Sequence, residues 1–274
     1  MDSSSFLNDP VSRRAFMARM TAAGLGTAAA MLLAGCGNGD DNNSNVIPNA
    51  NFPGIPGRTV TEVVLNYALT LEILEADLYR QALNKATGRA LTENLAANSS
   101  AYTLTVSGGG LADPQAAFAY LRDFAFVEAA HRDFLTTAIQ ASGGTPVTRR
   151  TAGYKFTTAD GSAGNDLRVI LANILPLEET GVRAYLGAAG FMAFNTLADK
   201  QLVATAVAIH STEARHSSII DYLLEPTGNP GPEFLTGDRR VTDRANAENT
   251  PSEDTFQYYL DPPTVIAALP AYNV

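Results

Sequence analysis

The chain has 274 residues, of which 46% are hydrophobic and 17% are charged, the composition of a globular protein that can bury a core. This length allows one large domain or two small ones. The formal net charge of -9 and the isoelectric point near 4.8 argue against nucleic acid as a partner and against charge-driven adhesion to anionic lipid.

The first 36 residues have the features of an export signal. Arg13 and Arg14 form a twin-arginine pair, and an apolar region from about 21 to 33 follows that is too short for a standard membrane span. The region ends in Leu-Ala-Gly-Cys at Cys36, the single cysteine of the sequence, and resembles a bacterial lipoprotein signal. We therefore expect passage through the twin-arginine export machinery and lipidation of Cys36. The protein would then be anchored on the periplasmic or cell-surface side of a bacterial membrane.

Four long helices are predicted by apolar residues that recur at helical spacing. They begin near 58–61, at Asp113-Pro114, near Asn165-Asp166 and near Thr196, and the second to fourth end near 142–144, at Gly190 to Asn195 and at Glu225. Pro176 lies inside the third helix and should kink it or mark an early break.

The remaining segments are expected to be irregular. Residues 37–58 indicate a flexible tether after the signal at 1–36, and 227–274 a proline-rich extension that packs on a bundle formed by 59–226. One short helix is expected near Pro263 to Leu269. The connection 88–112 contains a segment, 101–106, typical of a short strand, and 143–164 forms a second long loop.

Two pairs of polar residues interrupt the apolar faces of the second and fourth helices. Glu128 precedes His131 by three residues, and Glu213 precedes His216 by three, although the chain contains only three histidines. Residues three apart share a helix face, so each pair points into the core. Burial of uncompensated carboxylates is costly, and a divalent metal bound by carboxylate oxygen and imidazole nitrogen removes that cost.

The first and third helices also carry acids in their apolar series. Glu72 is followed seven residues later by Tyr79, and Glu178 seven residues later by Tyr185, so each tyrosine stays on the face of its glutamate. The chain therefore consists of two helix pairs of the same form, each with Glu-x6-Tyr followed by Glu-x-x-His.

This pattern resembles the ferritin-like superfamily of di-iron and di-manganese carboxylate bundles. The resemblance covers about 59–226 and is strongest to exported single-domain ferritin-like proteins, a group that includes desiccation-related proteins. It implies an all-α fold, an antiparallel four-helix bundle with a long crossover, followed here by an irregular C-terminal extension. It also implies a centre of two divalent metal ions, iron or manganese, with the ligands Glu72, Glu128, His131, Glu178, Glu213 and His216.

Several roles near this centre stay open on sequence alone. Glu75 shares the face of Glu72 and could replace it as a ligand or add to it. Tyr79 and Tyr185 could each hydrogen-bond a ligand from a neighbouring helix, or be ordinary core aromatics. His210 is rotated away from His216 and is expected at a surface or interface. Asp77 and Arg80 are expected to be surface charges or to pair along their helix.

The functional expectation follows from open coordination positions at such a centre. The first hypothesis is an enzyme that oxidises Fe(II) or reduces peroxide in oxidative or desiccation stress, with dioxygen or peroxide as the oxidant and no catalytic residue beyond the metal ligands. The alternative is a non-catalytic stress-protective or metal-binding structural protein. Iron storage ranks lowest, because a lipid anchor, long loops and a tail disfavour a closed cage. A homodimer is a possible assembly.

Overall fold

The computed structural model describes residues 50–149, 153–154, 156, 166–225 and 259–269. The predicted export signal at 1–36, the first part of the tether and most of the C-terminal extension lie outside these residues. Within the described ranges the fold is all-α, and one isolated parallel bridge joins Ser107 and Asp166. No helix of this part of the chain is long and apolar enough to cross a membrane.

Four long helices form the bundle, and they start where the sequence places their caps. The helices are α1 (Val60–Ala86), α2 (Pro114–Ala141), α3 (Leu167–Ala189) and α4 (Leu197–Leu224). At the start of each helix, the side chain of the N-cap residue accepts a hydrogen bond from a backbone N–H of the first turn; the N-cap residues are Thr59, Asp113, Asp166 and Thr196. Asp199 completes a capping box with Thr196.

The four helices pack as an antiparallel bundle. α1 packs most extensively on α2, and α3 on α4. α1 and α3 run in opposite directions, because Tyr79 reaches Glu178 while Tyr185 reaches Glu72. Since α2 and α3 therefore run the same way, the connection between them must travel the length of the bundle.

This crossover covers the outer face of α1. Glu62 Oε1 accepts the N–H of Thr145, and Asn66 Oδ1 accepts the N–H of Val147, both at 2.9 Å. Farther along the helix, Gln81 donates to the carbonyl of Tyr154 at 2.9 Å. α1 is therefore buried on nearly all sides, which explains polar residues such as Asn66 in its interior-facing positions.

The expectation that Asp77 is a surface charge is wrong. It is 5% exposed, and its carboxylate accepts hydrogen bonds from Arg80 at 2.6 Å and from Arg149 at 2.9 Å. Burial opposes ionisation of Asp77, but the hydrogen bonds from the two arginines hold its pKa below the usual value. The pairing with Arg80 along the helix was expected, whereas the contact with the crossover was not readable from local sequence.

Two further expectations need correction. Residues 101–106 do not form a strand: a 3-10 turn spans Ser99–Ala101, and the N–H groups of Thr105 and Val106 both point to the carbonyl of Ala86. These two backbone N–H groups therefore donate to the C-terminal end of α1 rather than to a partner strand. α3 is also continuous through Pro176, so the early break is not found, while a kink there stays a prediction. Pro176 is exposed, so the carbonyl left without a donor lies on the solvent side.

Segments before and after the bundle dock against it. Phe52 is 1% exposed and packs edge-on against Tyr67 and Phe191, with ring centroids 5.2 and 5.0 Å apart, so packing begins within the predicted tether. At the other end of the chain a short helix, α5 (Pro262–Ala268), packs on α3. The backbone of Leu260 approaches Gly187 so closely that a Cβ there would collide with the Leu260 carbonyl.

Candidate metal centre

The four helices bring the six predicted ligand residues to one buried point. The carboxylates of Glu72, Glu128, Glu178 and Glu213 are fully buried, and His131 and His216 are 8% and 2% exposed. All six occupy the inward faces of their helices, at the heights set by the Glu-x-x-His and Glu-x6-Tyr spacings.

The six side chains form two overlapping groups suited to one ion each. We call Glu72, Glu128, His131 and Glu213 set A, and Glu128, Glu178, Glu213 and His216 set B; in each, the ligand atoms lie within 4.8 Å of one another. Glu128 and Glu213 belong to both sets. These two carboxylates would therefore help to hold both ions, and the remaining Glu and His of each set would each hold one ion.

The close contacts in set A are those of ligands around a common centre. His131 Nδ1 lies 3.0 Å from Glu128 Oε2 and 3.3 Å from an oxygen of both Glu72 and Glu213. One imidazole nitrogen cannot donate to three carboxylates. Ligand atoms bound to one divalent ion at about 2.0–2.2 Å stand roughly 3 Å apart in neighbouring positions, which these separations match.

Set B shows the same arrangement through atoms that lack hydrogen bonds. His216 Nδ1 is 2.7 Å from Glu128 Oε1 and 3.4 Å from Glu178 Oε1. Yet His216 Nδ1, Glu128 Oε1 and both oxygens of Glu213 have no hydrogen-bond partner in the described part of the chain. Buried polar atoms are rarely left in that state. The donor set thus fits two divalent ions, and its chemistry, oxygen with imidazole nitrogen, suits iron and manganese.

Each tyrosine holds the glutamate of the opposite helix. Tyr185 Oη donates to Glu72 Oε1 at 2.6 Å, and Tyr79 Oη donates to Glu178 Oε1. Both hydroxyls are buried, and the other oxygen of each carboxylate, Oε2, has no hydrogen-bond partner among the described residues. The tyrosines therefore fix carboxylate orientation from one side and leave an oxygen for a metal.

The electrostatics show why a cluster of this kind needs cations. Burial raises the pKa of Glu72 to about 8, and Glu213 adds to that rise while His131 opposes it. Burial also raises the pKa of Glu213, as do Glu128 and Glu178. Burial opposes ionisation of Glu128 as well, but His131 and His216 together hold its pKa below the usual range. Four carboxylates, two neutral imidazoles and two divalent ions sum to zero charge.

Glu75 is a further buried carboxyl beside the centre, but it belongs to neither set. It is 3% exposed, and burial together with Glu213 and Glu72 raises its pKa well above the usual value. Room for it comes from Gly181, where a Cβ would lie 2.9 Å from Glu75 Oε1 and 3.4 Å from Glu213 Oε2. A glycine inside a helix costs about 1 kcal/mol, so this close approach explains its presence.

Sequence reasoning missed Gly181 and one aromatic contact. Phe124 stacks on the His216 ring with centroids 3.8 Å apart and planes inclined by 27°, which fixes the imidazole. Phe124 was readable only as a core position of α2, because nothing local pairs it with α4. His210, expected outside the centre, lies in neither set and is partly buried; burial lowers its pKa.

The comparisons with known proteins give one result. A family model described as "Ferritin-like domain" matches residues 62–226, the span that contains both sets and all four helices except the first two residues of α1. Curated proteins and solved structures give no significant match.

Proposed function

Because the chain belongs to the ferritin-like domain family, we propose that it is an exported, lipid-anchored protein whose di-metal centre, of iron or manganese, oxidises Fe(II) or reduces peroxide in defence against oxidative or desiccation stress. The overlap of sets A and B at one buried point supports the di-metal centre in this proposal. Glu128 and Glu213, which belong to both sets, would help to hold two ions, and two such ions would supply the two electrons that one oxidant requires.

The proposed reaction balances with either oxidant. Two Fe(II) give one electron each to dioxygen, which takes up two protons and leaves as hydrogen peroxide. With hydrogen peroxide as oxidant, two Fe(II) and two protons yield two Fe(III) and two water molecules. When bound, the metal supplies the redox chemistry; the protein supplies binding, orientation and protons.

The chain's own groups have separate tasks in this proposal. Glu128 and Glu213 hold both ions, and the tyrosine hydroxyls keep the outer glutamates oriented. Burial and the neighbouring Glu213 and Glu72 raise the pKa of Glu75 well above its usual value, which favours its protonated form, so Glu75 could supply a proton for oxygen reduction next to the centre. The surrounding core excludes bulk water from these groups.

A matched pair of variants on α3 tests the proposal. Glu178→Gln removes a ligand of set B, whereas Glu179→Gln changes the next residue, which belongs to neither set. Purified protein is mixed with Fe(II), and loss of Fe(II) is followed with dioxygen or peroxide. We expect turnover in the wild type and in Glu179→Gln, and at least about a tenfold loss in Glu178→Gln. Oxidation no faster than in protein-free buffer would reject the enzyme.

Metal content separates the enzyme from the alternative. A non-catalytic metal-binding or stress-protective protein would hold no metal or one structural zinc, while the proposed centre holds two ions per chain. Elemental analysis of protein from its native compartment measures this directly. One zinc per chain would favour the structural protein.

Export and anchoring rest on the sequence motifs before the described residues. Replacement of Arg13 and Arg14 by lysine should leave the protein in the cytoplasm, and Cys36→Ala should release it from the membrane fraction. Cell fractionation with immunodetection reads out both effects. Unchanged membrane attachment of Cys36→Ala would contradict the lipid anchor.

A further inference from the structure

An apolar cavity of about 30 Å³ lies at one end of the bundle, directly above set A. Ala68, Leu135 and Ile209 line it, and each lies four residues, about one helical turn, from a ligand of set A on its own helix. Tyr185 also lines it, and the hydroxyl of Tyr185 donates to Glu72. The floor of the cavity is thus about 5 Å along the axis from the centre.

The opposite side of the cavity reaches toward the surface. Met192, Thr205 and Ala206 line it there, and all three are partly exposed, whereas Val64, Leu65 and the floor residues are buried. The cavity therefore extends from partly exposed residues at the α3 and α4 side to the first layer of residues above set A.

The walls offer a water molecule almost nothing to bind. The hydroxyl of Thr205 is already used by the carbonyl of Gln201 at 3.0 Å, and that of Tyr185 by Glu72. Of the three hydroxyls that line the cavity, only that of the buried Tyr67 has no hydrogen-bond partner among the described residues. A buried water needs two to four partners, so the cavity favours an apolar occupant.

The volume of the cavity further restricts which molecule can occupy it. A water-sized sphere needs about 10–15 Å³, so the cavity has room for a molecule of two or three heavy atoms. Hydrogen peroxide fits in this volume, but both of its hydroxyl groups would lose their hydrogen bonds to water on entering an apolar cavity. Dioxygen has the same size and loses none.

We propose that this cavity binds dioxygen and delivers it to set A, so that dioxygen rather than peroxide is the oxidant. The choice of oxidant rests on the proposed function, whereas the gas site itself does not. Xenon, an apolar atom that occupies dry cavities, reports on the gas site without metal or turnover.

The experiment uses Ala206→Leu to fill the cavity and Ala204→Leu as its control. Ala204 is exposed on the same helix and does not line the cavity. Crystals of the full chain are pressurised with xenon. We expect xenon above set A in the wild type and in Ala204→Leu, and none in Ala206→Leu. No xenon in the wild-type cavity would overturn the gas site, and this result needs no variant to fold.

Kinetics then test the oxidant. Ala206→Leu should slow Fe(II) oxidation by dioxygen at least about tenfold, while its metal content and its rate with peroxide match those of Ala204→Leu. An unchanged dioxygen rate in a variant that excludes xenon would refute delivery through the cavity. Xenon binding in a protein that oxidises no Fe(II) would support the gas site, overturn the assigned oxidant and reject the proposed function.

Discussion

Removal of the two tyrosine hydroxyls at the centre should weaken one metal position each. Tyr185→Phe deletes the donor to Glu72, a ligand of set A only, and Tyr79→Phe deletes the donor to Glu178, a ligand of set B only. The aromatic rings remain, so packing changes little. Tyr67→Phe is the matched control, because that buried hydroxyl has no partner among the described residues.

The magnitude follows from the hydrogen bond and its charge. The Tyr185 contact is 2.6 Å long, and a hydrogen bond to an ionised group contributes about 1.5–3 kcal/mol. Metal binding makes Glu72 anionic, whereas the raised pKa of about 8 leaves it protonated in the metal-free protein at neutral pH. The hydroxyl therefore stabilises the loaded state more, and its loss should weaken binding roughly 10- to 100-fold at one ion.

Isothermal titration with Mn(II) measures this effect. The wild type and Tyr67→Phe should bind two ions with similar affinities, and each of the other variants should show one weakened step. If Tyr79→Phe and Tyr185→Phe both titrate like Tyr67→Phe, the hydroxyls do not support the ligands. The two tyrosines would then be ordinary core residues.

Two other outcomes follow from the structure. In protein freed of metal by a chelator, the free energy of unfolding should fall as the pH rises from about 5 to about 8. Glu72 keeps its proton in the folded protein up to a pKa of about 8, whereas the unfolded chain releases it near 4.5. The contribution of Glu72 to stability is fully present below pH 4.5. Urea midpoints that rise between pH 5 and pH 8 would contradict this prediction, and so would an equal decline with Mn(II) bound. Gly187→Ala should displace the segment around Leu260, whereas Gly190→Ala, with only a 4.0 Å contact, should not; limited proteolysis of the C-terminal segment distinguishes them, and equal resistance would refute the close approach.

The four helices could be predicted because each carries its own start signal and a continuous apolar face. Asp113-Pro114 and the Thr196 capping box act within one turn, so local sequence is sufficient there. The convergence of the six Glu and His side chains was predictable for a related reason: glutamate and histidine at inward positions conflict with burial unless they share a partner. The pairing of Tyr79 with Glu178 depended on helix direction, which only the three-dimensional structure provides.

The residues that sequence reasoning misplaced are those whose partners are distant in the chain. Asp77 resembles a surface charge until Arg149 of the crossover covers it. Residues 101–106 have the composition of a strand but lie beside the last turn of α1, which takes their backbone donors. Gly181 is explained only by Glu75 on another helix. Local patterns predict elements, whereas these contacts depend on topology.

The packing of Phe52 determines from which end of the bundle the preceding chain leaves. Its ring is wedged between Tyr67 and Phe191, at the bundle end that also bears the cavity. The preceding chain therefore leaves the bundle at that end, and the linker between a lipid on Cys36 and Phe52 would span at most about 55 Å. If Cys36 is lipidated as proposed, the cavity would therefore lie at the end of the bundle from which the lipid-bearing chain leaves.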